Sequence, residues 1–537
     1  MCVRRPRRSD SEQTTPFQYS MIGYQLAIQA ARVPDAIAVA FGARSYSYAN
    51  LYQRACRLAN GLAALGVGRG DRVGFLAFNC NQFVETMFAS ALLGTVFVPF
   101  NFRLVAREVG LQLDACTPKV LIAGDGFADM LHALKDRASL PQHLRWIDDQ
   151  PPATPDSGID HPYEAWLAGH STTEPDVVTL PGSVQMLLHS SGTTGLPKGI
   201  IFTHATTLAS SSAKIIDFGL SERDTTVVFG PLFHAGPLMD LAMPLLLRGG
   251  KLVLGPSRQF DPMRLLQTIA EERGTVIPIY PTMLRRVVAL PDFGGLDLSS
   301  LRLIITGGEA APIPVIRAVC ERLPHVDFVN NYGATEAGPI TTFLAPKDAL
   351  RKIGSVGRES FGVQVRIADS DDREVGPDVV GEVLVRGPFV CRGYWNRPDE
   401  TAASLRNGWW HTGDLAYRDA EGFIWIAGRS KDMIKSGTMN IYPIEVEQVI
   451  AGIDGVIEVS VIGVPDEAWG ESVAAYVVRA PGSALDAGQI IDHCRKNLAS
   501  YKKPRHVVFV DSLPRGTTNK VAKGILRERW QGIDVKA

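Results

Sequence analysis

Along the first part of the chain, apolar positions fall alternately at helical and at strand spacing. From Tyr48 to Leu65 they return every three or four residues; the string Gly66-Val67-Gly68-Arg69-Gly70-Asp71 then breaks the helix and leads into a short apolar run, Val73 to Phe78. Phe83 to Leu93 reads as a second helix and Val96 to Phe100 as a second strand. Val120 to Ala123, Val227 to Phe229, Lys251 to Leu254 and Leu303 to Thr306 continue the buried-looking strands. Such alternation predicts an α/β fold of mostly parallel sheets covered by helices. The stretch 141–181 is rich in Pro, Asp, Ser and Thr and has little periodicity, so it is expected to be a surface excursion.

Past Gly428 the pattern changes to short alternating strands (Ile457 to Val464, Ser472 to Val478), a helix (Ala487 to Leu498) and a basic, Pro-containing end. A chain of 537 residues exceeds what one hydrophobic core usually supports, so a boundary is expected near Lys431. Residues 1–18 are expected to be a disordered tail, 19–430 a large N-terminal domain and 431–537 a small, mobile α+β C-terminal domain.

Composition narrows the class. Hydrophobic residues make up 45 % and charged residues 21 %, with a formal net charge of −1, which describes a globular protein with no global basic field for nucleic acid. Arg4, Arg5, Arg7 and Arg8 form a basic cluster, but no apolar stretch of signal-peptide length follows it. The longest apolar runs, such as Met239 to Leu247, fall short of the roughly 20 residues a membrane-spanning helix needs. The seven cysteines are scattered, odd in number and without metal-ligand spacing, which predicts packed, reduced thiols in a cytoplasmic protein.

The strongest chemical signal is Ser190-Ser191-Gly192-Thr193-Thr194-Gly195-Leu196-Pro197-Lys198-Gly199. Glycines let backbone amides turn around an anion, hydroxyls add donors and Lys198 adds charge, a set suited to polyphosphate. It is not a Walker A loop: Pro197 stands where the second glycine belongs, and the flanks Met186 to Leu188 and Ile200 to Phe202 both read as strands.

This loop resembles the signature of the adenylate-forming superfamily, to which acyl-CoA synthetases, luciferases and peptide-synthetase adenylation domains belong. The rest of the chain agrees in order, from about residue 40 to about 530. Gly70-Asp71-Arg72-Val73, Asn79 and Pro99 to Leu104 resemble the N-terminal blocks, and Pro231 to Gly236 (PLFHAG) resembles the aromatic-pocket motif. Thr306 to Pro312 (TGGEAAP) and Asn331 to Gly338 (NYGATEAG) resemble the adenine and magnesium blocks. Gly408 to Leu415, Gly428 to Lys435 and Leu513 to Lys520 complete the series.

The resemblance implies an ATP-dependent ligase in which a carboxylate attacks the α-phosphate to give acyl-AMP and pyrophosphate, and the thiol of coenzyme A then displaces AMP. It implies that Thr193, Thr194 and Lys198 hold the outer phosphates, that Thr335 contacts the α-phosphate, and that Glu336, with Thr194, holds Mg²⁺. Gly308, Glu309, Ala310, Asn331, Tyr332 and Gly333 would line the adenine and the start of the acyl site, with Asp414 on the ribose and Arg429 beside it. Lys520 is the implied catalytic cation of adenylation. The small domain would then rotate about Lys431, withdrawing Lys520 and bringing Lys435, Ser436 and Gly437, with Thr438 to Asn440, to the pantetheine. Asn519 and Thr438 stand where relatives usually carry glycine.

The substrate is expected to be a small-molecule carboxylic acid. Phe233 and His234, with Tyr280, Met283 and Gly333, would border its pocket. Ala235-Gly236-Pro237 supplies no charge for an α-amine, so an uncharged tail, aliphatic or aromatic, is expected. A carrier-protein thiol as acceptor, a luciferase-like oxygenase and a catalytically silent homologue are the competing implications. A homodimer is possible on the same resemblance.

Overall fold

The computed structural model describes residues 21–124, 126–147, 159–190, 198–291, 295–516 and 520–530. The expected tail 1–18 lies outside these residues.

Two large sheets form the body. In the nine-stranded sheet, Asp327–Tyr332, Leu303–Thr306, Val276–Pro278, Thr225–Val228, Lys251–Leu254 and Ile37–Phe41 run parallel in that spatial order, with antiparallel strands at both ends. The seven-stranded sheet is parallel from Ile159–Pro162 through His143–Trp146, Val120–Ala123, Arg72–Leu76 and Val96–Pro99 to Val184–Ser190, and it closes on the antiparallel strand Lys198–Thr203. The apolar runs expected as buried strands therefore take that role. A five-stranded antiparallel sheet, built on Gln364–Ala368, Gly381–Arg386 and Trp409–Arg418, follows in the chain.

The helix Tyr48–Ala64 starts where Ser47 accepts a hydrogen bond from the Asn50 amide, and it buries Leu51, Ala55, Leu58, Ala59 and Leu62 along one stripe. Asn81–Leu93 is buried on every side and ends at Gly94, whose φ of 72° is the left-handed cap that glycine adopts freely. A helix buried all round leaves no face for a charge, so its one carboxylate, Glu85, is neutralised by Arg54 at 2.8 Å and accepts from the Tyr163 hydroxyl at 2.7 Å.

That bond exposes a correction. The stretch 141–181 is not only a surface excursion: His143–Trp146 and Ile159–Pro162 extend the seven-stranded sheet, and Tyr163–Ala168 is a helix with Tyr163 fully buried. The segments are four to six residues long, too short to show a period among so many turn formers.

From Ile434 onward the chain builds its own core. The long antiparallel pair Val456–Asp466 and Gly470–Arg479 is flanked by Ile434–Ser436 and by His506–Phe509, and it packs against Pro443–Ala451 and Ala487–Asn497. Asp486 caps the latter helix by accepting from the Gln489 amide. Among the described residues no helix is long and apolar enough to cross a membrane, and no group of His, Cys, Asp and Glu has metal-binding geometry. Cys56, Cys80, Cys116, Cys391 and Cys494 are buried, as expected for packing residues.

Candidate active site

The carboxyl ends of adjacent parallel strands in the nine-stranded sheet converge on one cleft, the place where open α/β sheets receive ligands. Thr225–Val228 delivers Phe233 and His234, Val276–Pro278 delivers Tyr280, Leu303–Thr306 delivers Gly308, Glu309 and Ala310, and Asp327–Tyr332 delivers Asn331, Tyr332, Gly333, Thr335 and Glu336. The pairings Pro278 with Ile305 and Thr306 with Asn330 set these strand ends level.

Small residues are required at the turns. A Cβ on Gly307 would overlap the Asn331 amide, which donates to the Thr306 carbonyl at 2.9 Å, and a Cβ on Gly333 would overlap the Pro339 carbonyl. Glu309 turns back to accept from the Thr282 amide at 3.1 Å, at the start of the helix Pro281–Val288. Burial pushes its carboxyl up, while Arg285, Arg515 and Lys520 pull it down.

On the ribose side, Asp414 and Arg429 are cross-strand partners, with Nε 3.2 Å from Oδ1, and the Tyr332 hydroxyl donates to Asp414 Oδ2 at 2.7 Å. Both carboxylate oxygens thus have fixed donors, leaving further lone pairs toward the cleft. Thr335 and Glu336 open the short 3₁₀ turn Thr335–Ala337. Tyr394 donates to Glu336 Oε1 at 3.0 Å, and the Lys198 ammonium sits 4.9 Å over the same tyrosine ring while pairing with Glu400. Burial raises the Glu336 pKa, against hydrogen bonds and the charges of Arg429 and Lys198.

Ser190 pairs with Lys198 in the antiparallel ladder Val184–Ser190 with Lys198–Thr203, so strand does flank the glycine loop on both sides. Thr193 and Thr194, like Asn519, lie outside the described residues. Tyr394, Glu400 and Arg103 belong to the site but were not selected by sequence reasoning. Arg103 lies within the Pro99 to Leu104 block, whereas Tyr394 and Glu400 lie far from the loop in the chain and carried no separate signal.

Lys520 reaches the cleft from the small domain on a tight return: Gly516 donates to the Lys520 carbonyl at 2.8 Å and Arg515 bridges to Val521. Arg285 of the large domain donates to the Ile457 carbonyl at 3.1 Å, and Glu458 takes Arg515 at 2.6 Å, so the domains meet beside this hairpin. The Lys520 side chain has open access to solvent in the cleft yet is crowded by protein, and that burial, with Arg429, lowers its pKa; Asp414, Glu309 and Glu336 oppose the shift. On the acyl side, His234 is held at about 3 by burial and by the charges of Arg103 and Lys520, so it is neutral at ordinary pH.

Lys435, Ser436 and Gly437 stand apart from this constellation. Gly437, at φ 61°, opens a two-residue hairpin between Ile434–Ser436 and Met439–Ile441, with its amide on the Trp469 carbonyl and that of Lys435 on Glu471. Thr438 takes the second hairpin position, where no left-handed φ is needed, so it imposes no backbone strain.

Comparison with known proteins agrees with this geometry. The chain belongs to the AMP-binding enzyme family, whose model matches residues 26–395, with the AMP-binding enzyme C-terminal domain at 445–520. It is 39 % identical over 500 residues to a feruloyl-CoA synthase of an Amycolatopsis species, covering 93 % of this chain and 96 % of that one. It is 36 % identical over 485 residues to a long-chain-fatty-acid–CoA ligase of Mycobacterium tuberculosis, covering 90 % and 93 %. The fold superposes on an anthranilate CoA ligase in complex with anthranoyl-AMP at a TM-score of 0.88 and 28 % identity, covering 96 % and 97 %. It is an acid–thiol ligase that activates a carboxylic acid with ATP as the acyl-AMP and passes the acyl group to coenzyme A.

Proposed function

We propose that this ligase activates an aromatic or aryl-substituted acid, with Lys520 as the catalytic cation of the first step. The observation that carries the reading is the Lys520 ammonium, brought by one domain to face Asp414, Glu309 and Glu336 of the other. Adenylation joins two anions: a carboxylate oxygen bonds the α-phosphorus, and the bond to the pyrophosphate oxygen breaks. The substrate is already the nucleophile, so neutralisation and alignment supply the rate. Lys520 neutralises the meeting charges, Asp414 with Tyr332 and Arg429 orients the ribose, and Lys198 with the glycine loop holds the leaving pyrophosphate.

Magnesium is the metal such chemistry implies. Glu336 fits it: a lone crowded carboxylate, raised in pKa by burial, matches a hard cation that takes its remaining ligands from phosphate and water. When bound, the ion would neutralise phosphate charge. Rotation about Lys431 would then exchange Lys520 for the Gly437–Thr438 hairpin, and the thiol sulfur would bond the acyl carbon as AMP leaves.

The named relatives act on both aryl and fatty acids, so the acid class rests on the pocket. The Tyr280 ring packs beside Gly308 and sets its hydroxyl end against Gly236, and Phe233 meets Phe102 edge-on at 4.8 Å, a lining that suits a planar ring. The buried, unbridged thiols are in keeping with a cytoplasmic enzyme. A pyrophosphate-release screen over aryl and fatty acids, with and without coenzyme A, tests the reading: faster release with aryl acids and thioester only with coenzyme A are expected. Activity confined to long-chain acids, or acyl-AMP that coenzyme A never discharges, would overturn it.

A further inference from the structure

The far end of the acyl side carries polar atoms that nothing in the adenylation step uses. Asp240 sits on the wide helical turn Gly236–Ala242, whose hydrogen bonds run from i to i+5, a geometry often found at functional sites. Its side chain is 5 % exposed, and among the described residues its Oδ1 has no hydrogen-bond partner. The Tyr280 hydroxyl is likewise buried and without a partner. The two belong together: a Cβ on Gly236 would overlap that hydroxyl, and Asp240 lies one turn further along the same helix. Burial raises the Asp240 carboxyl against the pull of Lys214, and its ionised form is the charge that bears on the Tyr280 hydroxyl.

Behind them stands Lys214, fully buried. Its ammonium donates to Ser210 Oγ at 3.2 Å and to the Ile340 carbonyl at 3.3 Å and lies 4.6 Å over the Phe389 ring, so it offers Asp240 charge without a direct bond. Lys520 bears on His234, and the adenylation step proposed above puts the carboxylate of the acid beside Lys520. His234 and Asp240 thus lie on one stretch of chain, with the Tyr280 hydroxyl set against Gly236 between them. A fatty tail would leave Oδ1 and the phenol unpaired at its end, at a cost that apolar contact does not offset. A hydroxyl or N–H at the far end of the acid would satisfy them.

We propose that Asp240 and Tyr280 form a polar floor to the acyl pocket that selects acids bearing a hydrogen-bond donor, a phenolic hydroxyl or an indole-type N–H, at the end remote from the carboxylate. The proposal rests on the aryl-acid reading above and narrows it. A pocket built to pair with a donor discriminates against the analogue that lacks it, because its own polar groups are then stranded.

The test is acyl-AMP formation, as kcat/KM, on matched acids: 4-hydroxyphenyl against 4-methylphenyl members of one arylalkanoic series, and an indolyl acid against its naphthyl counterpart. The protein is expected to prefer the donor-bearing member at least tenfold. In Tyr280→Phe, and in the paired Lys214→Met/Asp240→Leu variant that leaves no lone buried charge, that ratio is expected to fall to about twofold or less. A floor that is merely structural would lower both members alike and leave the ratio unchanged. Equal kcat/KM on both members in the unaltered protein, or an unchanged ratio in both variants, would overturn the proposal. Acyl-AMP formation confined to long-chain fatty acids would instead overturn the aryl-acid reading on which the proposal rests.

Discussion

The nucleotide side and the acyl side of the cleft are built in opposite ways. Around the nucleotide, each charged group already has a protein partner: Asp414 holds Arg429 and Tyr332, Glu336 holds Tyr394, Lys198 holds Glu400. On the acyl side His234 Nε2, the Tyr280 hydroxyl and Asp240 Oδ1 are buried and have no hydrogen-bond partner among the described residues. ATP is large and highly charged, so its site needs side chains locked before it arrives. A small acid contributes few groups, and its selection needs protein atoms left waiting.

The largest effect expected from this contrast lies where the two sides meet. Lys520→Ala should lower pyrophosphate release by about 10²-fold or more, while thioester formation from supplied acyl-AMP is retained; equal loss of both would show that Lys520 does not divide the steps. On the nucleotide side, Tyr394→Phe removes a hydrogen bond to a charged carboxylate, worth about 1.5–3 kcal/mol. A magnesium titration should then show a requirement raised by roughly tenfold, with the KM for the acid unmoved.

The pH profile distinguishes the sides more gently. His234 titrates at about 3, so no acid limb near the usual histidine value should appear in kcat/KM. Lys520 has a lowered pKa, and its ammonium is therefore lost on raising the pH sooner than an ordinary lysine's. Adenylation should fall on an alkaline limb that begins below pH 10.5, and this limb should vanish from the thioester step.

The smallest effects are on stability, and their signs differ. Tyr332→Phe breaks a 2.7 Å hydrogen bond to the Asp414 carboxylate and should cost about 1.5–3 kcal/mol in denaturant unfolding. Tyr280→Phe removes a hydroxyl with no partner among the described residues and should cost nothing or stabilise slightly. Acid unfolding adds a background common to both: His204 is fully buried and titrates at about 4, so the unfolded chain binds the extra proton between about pH 4 and its ordinary 6.5. Stability should therefore fall as pH drops through that window. A melting temperature that stays flat from pH 7 to 4 would contradict this.

The sequence by itself determined the alternation of strands and helices, because periods of 3.6 and 2 are local, and it marked the nucleotide side, because glycine turns, hydroxyls and a lysine lie contiguous from Ser190 to Gly199. Only the tertiary structure decided what lies at the end of the acyl pocket. Asp240 interrupts an apolar run and has no sequence neighbour that explains it; its meaning comes from Tyr280 and Lys214, on separate elements that meet where the sheet and its helices pack. The same holds for Tyr394, which serves Glu336 and Lys198 from a distant loop. Partners far apart in the chain leave no periodic trace, since it is packing, not spacing, that brings them within reach of each other.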